Sequence, residues 1–203
     1  MRAIDIIFLL LPILLWPITF IVLKSVFIYS MFVSTLILAL ISLYYYKGMI
    51  RWRVRSYPVT LAIGVIGAIA LYLIFYLGNY LTIYLGINGL VSNVYAMIYA
   101  DVPRIPLAVL LIFIGLFEEI YWRGALQGFI RGSGSRVLAS TPWVLTTLYY
   151  ASVHISTLNI VLVGAAFFVG LVTSIIADRY GIISSMITHI VWIELIVLII
   201  PIL

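Results

Sequence analysis

Six ionisable side chains lie inside long apolar stretches of this sequence, where charged groups are rare. They are Glu118, Glu119, Arg123, His154, His189 and Glu194. An ionisable side chain at membrane depth costs at least about 2.5 kcal/mol, and such residues usually mark a functional site. The two histidines are the only two in the chain, and both follow the glutamate pair. Their grouping indicates acid–base chemistry inside a membrane.

The two adjacent glutamates are predicted to have different tasks. Side chains of successive helical residues diverge by about 100°, so Glu118 and Glu119 do not face one atom from the same side. Arg123 is four residues after Glu119, which is the favourable order for an ion pair within a helix. We therefore expect Glu119 and Arg123 to form a neutralised structural pair, and Glu118 to face a polar cavity as a general base. A cluster that only ties helices together needs one glutamate and leaves the second unexplained.

Three short motifs contain most of these residues. Residues 118–124 read Glu-Glu-Ile-Tyr-Trp-Arg-Gly, which is EExxxRG, and residues 150–154 read Tyr-Ala-Ser-Val-His. His189 follows on the last apolar stretch. In order and spacing the three resemble the EExxxR, FxxxH and HxxxN/D motifs of the CAAX protease and bacteriocin-processing family (CPBP, or Abi). The resemblance covers roughly residues 105–194.

This resemblance implies an intramembrane endopeptidase of glutamate type. Glu118, assisted by His154, would deprotonate a water molecule, and the hydroxide would attack a peptide carbonyl. His189 would stabilise the oxyanion, while Glu119 and Arg123 would hold Glu118 in place. The substrate would be a membrane-associated peptide, either prenylated or a leader peptide. No cofactor is expected to be required, although Glu118, His154 and His189 could instead hold a zinc ion with an open water position.

The third motif departs from the family pattern at its last position. Ile193 lies four residues after His189, where the family has Asn or Asp. That side chain is thought to help the histidine hold the oxyanion, and the loss of one such donor typically costs about 10²–10³ in rate. We expect the indole N–H of Trp192 to substitute. Glu194 points elsewhere on the same helix, and we expect it to make an interhelical hydrogen bond.

Two other functions remain open at this point. The Ile193 substitution is compatible with a non-catalytic family relative that acts as a membrane binding or immunity protein. The same buried charges would also suit a transporter or proton relay. A transporter is favoured by two repeated halves with broken helices, and the sequence has no such repeat.

The composition indicates which kind of scaffold must position these residues. Of 203 residues, 66% are hydrophobic and 8% are charged, with a mean hydropathy of +1.31. Soluble domains carry about 25% charged residues, so most of this chain must face lipid or other helices. The absence of cysteine excludes disulfides, thiolate metal sites and a cysteine nucleophile. The net charge of +5 is not arranged as a basic run with interleaved aromatic residues, so we expect membrane lipids and a peptide or protein substrate as partners, and no nucleic acid.

A bilayer core of about 30 Å needs roughly 20 apolar helical residues. This length gives seven candidate spans, at residues 3–22, 26–46, 59–85, 105–130, 142–155, 158–177 and 182–203. We expect the first to be retained, since no small-residue cleavage site follows it. If Arg2 is cytoplasmic, alternating crossings place most other basic residues on its side, as the positive-inside bias requires. These residues are Lys47, Arg51, Arg53, Arg55, Arg131, Arg136 and Arg179.

The predicted fold is therefore an all-α, polytopic helical bundle of about seven transmembrane helices in the cell membrane, with a cytoplasmic N-terminus. Residues 1–104 would hold three helices and an outer interfacial segment, and residues 105–203 a four-helix catalytic core. Residues 88–104 are predicted either to lie in the interface as an amphipathic segment or to form a loop packed on the helix ends.

Overall fold

The computed structural model of the chain describes residues 2–100 and 102–202, and within them it contains α-helices and no strand. The α-helices are α1 (Ala3–Pro17), α2 (Phe27–Tyr45), α3 (Tyr57–Tyr84), α4 (Gly89–Tyr99), α5 (Arg104–Glu119), α6 (Gln127–Arg131), α7 (Arg136–Ser140), α8 (Pro142–Val153), α9 (Ile160–Tyr180) and α10 (Ile182–Glu194). The predicted all-α class is confirmed. Leu203, where the last predicted span ends, and Asp101 in the predicted interfacial segment lie outside the described residues.

Three π-helical segments extend the long helices, and short 3₁₀ turns connect others. The segment Ile18–Val22 continues α1, Ile120–Leu126 joins α5 to α6, and Leu195–Ile199 continues α10. The 3₁₀ turn His154–Thr157 ends α8. Two of the three motifs therefore include a place where the regular α-helix stops.

Within the described residues, six helical stretches are long and apolar enough to cross a membrane. They are Ala3–Val22, Lys24–Tyr45, Tyr57–Tyr84, Arg104–Arg131, Ile160–Tyr180 and Ile182–Ile199. Each corresponds to one predicted span. The predicted number of seven is approximate, because α8 and its 3₁₀ turn form a shorter path.

The short helix α8 nevertheless runs alongside α1 in the same direction. The Tyr149 hydroxyl donates to the carbonyl of Leu9, and farther along the Trp16 indole donates to His154. The chain then reverses at Leu158, whose φ of 53° is left-handed, and α8 packs against α9. The contact between α1 and α8 joins the N-terminal helices to the part of the chain that carries the motifs.

Helix α10 lies at the centre of the bundle, packed against α3, α5 and α9. Glycines on α3 permit the close approach: a Cβ at Gly64 would lie 2.5 Å from Ile187, and one at Gly67 would lie 2.5 Å from Thr188. Small residues at such interfaces let helix backbones approach in membranes. Gly181 alone joins α9 to α10, and its φ of 100° is a conformation that other residues rarely adopt.

Residues 88–104, predicted to be an interfacial segment or a packed loop, contain helix α4, whose side chains bind the π-helical segment that continues α10. The choice between the two predicted arrangements stays a prediction. The last carbonyls of a helix have no partner within it, and side chains from residues 88–104 bind three of them. The Tyr95 hydroxyl donates to the Ile196 carbonyl at 2.7 Å, and Tyr99 and Arg104 bind the next two carbonyls. Burial raises the pKa of Tyr95 to about 12, so its hydroxyl stays protonated as a donor.

Candidate active site

An apolar cavity of about 400 Å³ lies among the helices α2, α3, α4, α5, α8, α9 and α10. Most of its lining is aliphatic or aromatic, and only a few polar side chains reach it. Glu118, His154 and His189, the three residues predicted to act on water and substrate, all line this cavity. Such a cavity with few convergent polar groups is a typical ligand site.

The glutamate pair lies where one helix type changes to another. Glu118 and Glu119 are the last two residues of α5, and the chain continues as the π-helix Ile120–Leu126. All seven residues of this π-helix are buried. Single π turns are rare and often occur at functional sites. Spacing arguments for a regular α-helix therefore describe only the first part of the EExxxR motif.

Glu119 is held by three partners. Its Oε1 atom is 3.0 Å from Arg123 Nη1, and both side chains are completely buried, so the predicted ion pair is present. The same carboxylate accepts hydrogen bonds from Ser185 Oγ and His189 Nδ1. The guanidinium also lies 4.5 Å from the centre of the Tyr150 ring. No Arg123 N–H meets hydrogen-bond geometry with any described residue, so charge attraction, not a directed hydrogen bond, joins it to Glu119.

Glu118 has one bound oxygen and one free oxygen. Oε2 accepts a hydrogen bond of 2.8 Å from the Tyr150 hydroxyl. Oε1 is buried and has no hydrogen-bond partner among the described residues. A carboxylate oxygen that is desolvated and unbonded is a strong acceptor, so Glu118 has the geometry of a group that receives a proton.

The His189 imidazole lies between the two glutamates. Its Nδ1 atom is 3.0 Å from Glu119 Oε1, and its Nε2 atom is 3.7 Å from Glu118 Oε2. Since a carboxylate only accepts hydrogen bonds, Nδ1 carries the proton in the bond to Glu119. The two glutamate side chains point in different directions, as predicted, but both reach the same residue, because each faces a different nitrogen of the His189 ring.

His154 reaches the cavity, but among the described residues it makes no hydrogen bond to Glu118. The Trp16 indole N–H, which can only donate, is 3.2 Å from His154 Nε2. His154 Nδ1 is 2.7 Å from the Tyr150 carbonyl and must therefore carry the ring proton. Both nitrogens are thus occupied by neutral groups. No sequence pattern indicated Trp16, which is a tryptophan in an apolar stretch without a motif.

Two residues of α10 after His189 also line the cavity. Trp192 is buried, and its Nε1–H has no hydrogen-bond partner within the described chain. Ile193 lines the same cavity, without a polar group. The interhelical hydrogen bond predicted for Glu194 is not present among the described residues, where Oε1 is buried without a partner.

The three candidate zinc ligands are not arranged as a ligand set. Within the described residues, no group of three or more His, Asp or Glu side chains could hold a metal ion. The reason lies at His154, because its Nε2 accepts from Trp16 and its Nδ1 donates to a backbone carbonyl. We derive no step through a metal, and the expectation that none is required stays a prediction.

Comparison with known proteins gives one finding. Residues 100–193 match the family model for "Type II CAAX prenyl endopeptidase Rce1-like". No curated protein and no solved structure matches the chain. The matched range includes every residue predicted as catalytic: Glu118, Glu119, Arg123, His154 and His189.

Proposed function

Because residues 100–193 match the family model for a type II CAAX prenyl endopeptidase, we propose that this protein is an intramembrane endopeptidase of the CAAX protease and bacteriocin-processing family that uses Glu118 to activate water. The observation that carries the proposal is the free Oε1 of Glu118 beside His189 in an apolar cavity. A protease of this family hydrolyses peptide bonds. The geometry supports a role for a particular residue in each step of that reaction.

In the first step, Glu118 Oε1 accepts a proton from a water molecule, and the resulting hydroxide attacks the carbonyl carbon of the peptide. The carbonyl π electrons move to the oxygen, which becomes an oxyanion. Glu118 then donates its proton to the nitrogen of the leaving amine as the C–N bond breaks. The carboxylate is regenerated, and one water molecule has been consumed.

His189 is placed to stabilise the oxyanion. Its Nδ1–H is bound to Glu119, so Nε2 is the nitrogen available to the reacting group. With a proton on Nε2, the ring donates to the oxyanion. Glu118 then holds the proton taken from water, so the charges of Glu119, Arg123, His189 and the oxyanion sum to zero. The unbonded indole N–H of Trp192 is a second donor at the same cavity. Donors fixed in a water-poor site stabilise such a charge strongly.

We propose that His154 assists indirectly. It donates to the Tyr150 carbonyl, and the Tyr150 hydroxyl in turn holds Glu118. The N-terminal helices would support this arrangement through Trp16. We therefore propose that the three N-terminal helices support a catalytic core at residues 105–203, and that the two parts form one integral unit.

The cavity supports a substrate with an apolar group. The cavity has a volume of about 400 Å³, and its lining is mostly aliphatic and aromatic, which suits an isoprenoid chain or an apolar leader segment of a membrane-associated peptide.

Lipid would surround the multi-pass bundle. We place the N-terminus in the cytoplasm of a cell-membrane protein, and a reporter fused after Arg136 that reads external would overturn this orientation.

A second function is favoured by one observation. Ile193 lines the cavity at the position of the family's Asn or Asp and offers no hydrogen-bond donor. A non-catalytic relative would use the same cavity to bind an apolar peptide, as a membrane binding or immunity protein. Binding without cleavage would be its signature.

The test uses the purified protein in lipid nanodiscs with two quenched fluorescent peptides, one prenylated at its C-terminus and one with an apolar leader. We expect cleavage by the wild type and none by Glu118→Gln. Glu194→Gln is the matched control, because it makes the same change at a glutamate outside the cavity lining, and it should retain wild-type turnover. Full activity of Glu118→Gln would exclude Glu118 as the base, and binding without cleavage in every variant would favour the second function.

A further inference from the structure

Tyr150, the first residue of the second motif, contacts more of the candidate site than the motif alone would suggest. Its buried ring lies 4.8 Å from the His154 ring and 5.1 Å from the Trp122 ring, measured between centroids. The Arg123 guanidinium lies 4.5 Å from the same ring. The hydroxyl donates to Glu118 Oε2 at 2.8 Å. One side chain thus joins the first two motifs.

Both the ring and the backbone of Tyr150 are fixed. The His154 Nδ1–H donates to the Tyr150 carbonyl at 2.7 Å. On the other side, a Cβ at Gly170 would lie 3.2 Å from Tyr150 Cδ1, so the glycine leaves room for the ring. With its backbone and ring fixed in this way, Tyr150 directs its hydroxyl at one place, which here is Glu118.

We propose that Tyr150 is a positioning residue for Glu118. By binding Oε2, its hydroxyl fixes the rotation of the carboxylate and leaves Oε1 free for the water molecule. A hydrogen bond to an ionised group is about twice as strong as a neutral one. Phenylalanine, the residue in the FxxxH form of the motif, supplies the ring without this hydroxyl. The proposal rests on the proposed function, in which Glu118 is the base.

The kinetic test compares Tyr150→Phe with Tyr149→Phe. Each removes one hydroxyl and keeps the ring, but the Tyr149 hydroxyl binds the Leu9 carbonyl away from Glu118. We expect Tyr150→Phe to lower kcat about 10- to 100-fold, as for a hydrogen bond to a charged group, and to change KM little. Tyr149→Phe should keep kcat close to wild type. Equal kcat values for the two variants would overturn the proposal.

A second measurement does not depend on cleavage. Dicyclohexylcarbodiimide modifies protonated carboxyl groups in apolar sites, and mass spectrometry can follow its attachment to Glu118. Loss of the Tyr150 hydroxyl should free this carboxyl and speed its labelling several-fold, whereas Tyr149→Phe should not. Gly170→Ala, which crowds the Tyr150 ring, should act in the same direction and serves if Tyr150→Phe does not fold.

The two measurements separate the two proposals. A wild-type protein that cleaves neither peptide would refute the proposed function, and the labelling rate of Glu118 would then decide the role of Tyr150 by itself. Unchanged labelling in Tyr150→Phe would show that the hydroxyl does not hold the carboxylate, whatever the activity.

Discussion

His154 and His189 both line the apolar cavity, but their surroundings differ. In the His154 region, the indole of Trp16 and the carbonyl of Tyr150 occupy the two ring nitrogens. In the His189 region, the ring lies between the carboxylates of Glu118 and Glu119, and among the described residues only Nδ1 makes a hydrogen bond. A histidine with two hydrogen-bonded nitrogens is held in one tautomer, whereas His189 keeps one nitrogen available for a reacting group. The chemical role of each histidine therefore follows from the groups that contact it, and not from the motif to which it belongs.

The largest effect on stability and activity is expected in the His189 region, when the cation that balances the charge of Glu119 is removed. Arg123→Ala leaves Glu119 buried without its cation, and breaking a buried pair costs about 3–5 kcal/mol. We expect a loss of unfolding free energy of this size, together with loss of cleavage, measured by denaturant titration in mild detergent.

The control for this prediction is Arg131→Ala, which breaks the partly exposed ion pair with Asp178 between α6 and α9. Exposed pairs contribute about 0–1 kcal/mol, so this variant should be nearly as stable as the wild type. If both variants lost the same stability, the Glu119–Arg123 pair would not be the charge balance described here.

Replacing each histidine tests the comparison directly. We expect His189→Gln to lower kcat about 10²–10³-fold, the range for loss of a group that stabilises the oxyanion. His154→Gln should lower kcat less, because that ring acts through Tyr150 and makes no hydrogen bond to Glu118 in the described part of the chain. Initial rates on the fluorescent peptides measure both. A greater loss in His154→Gln would reverse the roles of the two regions.

Trp16 should affect the His154 region mainly through stability. Trp16→Phe keeps a six-membered aromatic ring but removes the N–H together with part of the buried indole, which leaves His154 Nε2 buried without a donor. Such a loss costs about 1–3 kcal/mol and is measured as a lower unfolding free energy. Trp52→Phe is the matched control, since Trp52 is 48% exposed in a loop and makes no such bond in the described structure. Equal stability of the two variants would contradict a supporting role for α1.

The smallest effect is expected at the end of the His189 region. Ile193→Asn restores an amide donor beside the cavity, so we expect turnover to rise several-fold with a slightly lower melting temperature, because the amide is unpaired at rest. Trp192→Phe removes the free indole N–H and should lower turnover. If neither variant changes kcat, other groups hold the oxyanion.

Part of this molecule is determined by local sequence. Apolar runs of span length predicted six of the helical stretches, since a lipid environment requires helices with few charges. The spacing of Glu119 and Arg123 predicted their ion pair, because residues four apart on a helix are neighbours, and the pair is present although Arg123 lies in the π-helical segment. The order of the motifs likewise predicted the family that residues 100–193 match.

The remaining features depend on contacts between distant parts of the chain, and only the tertiary structure decides them. Trp16 and His154 are far apart in sequence, and only the packing of α1 on α8 brings them together. The His189 ring reaches both glutamates because α10 packs on α5. Spacing fixes neighbours within one helix, but the rotation and depth of one helix against another are set by side-chain packing along the whole interface. The sequence therefore determined which residues carry the charges, and the packing of α1, α5, α8 and α10 decided which of them meet.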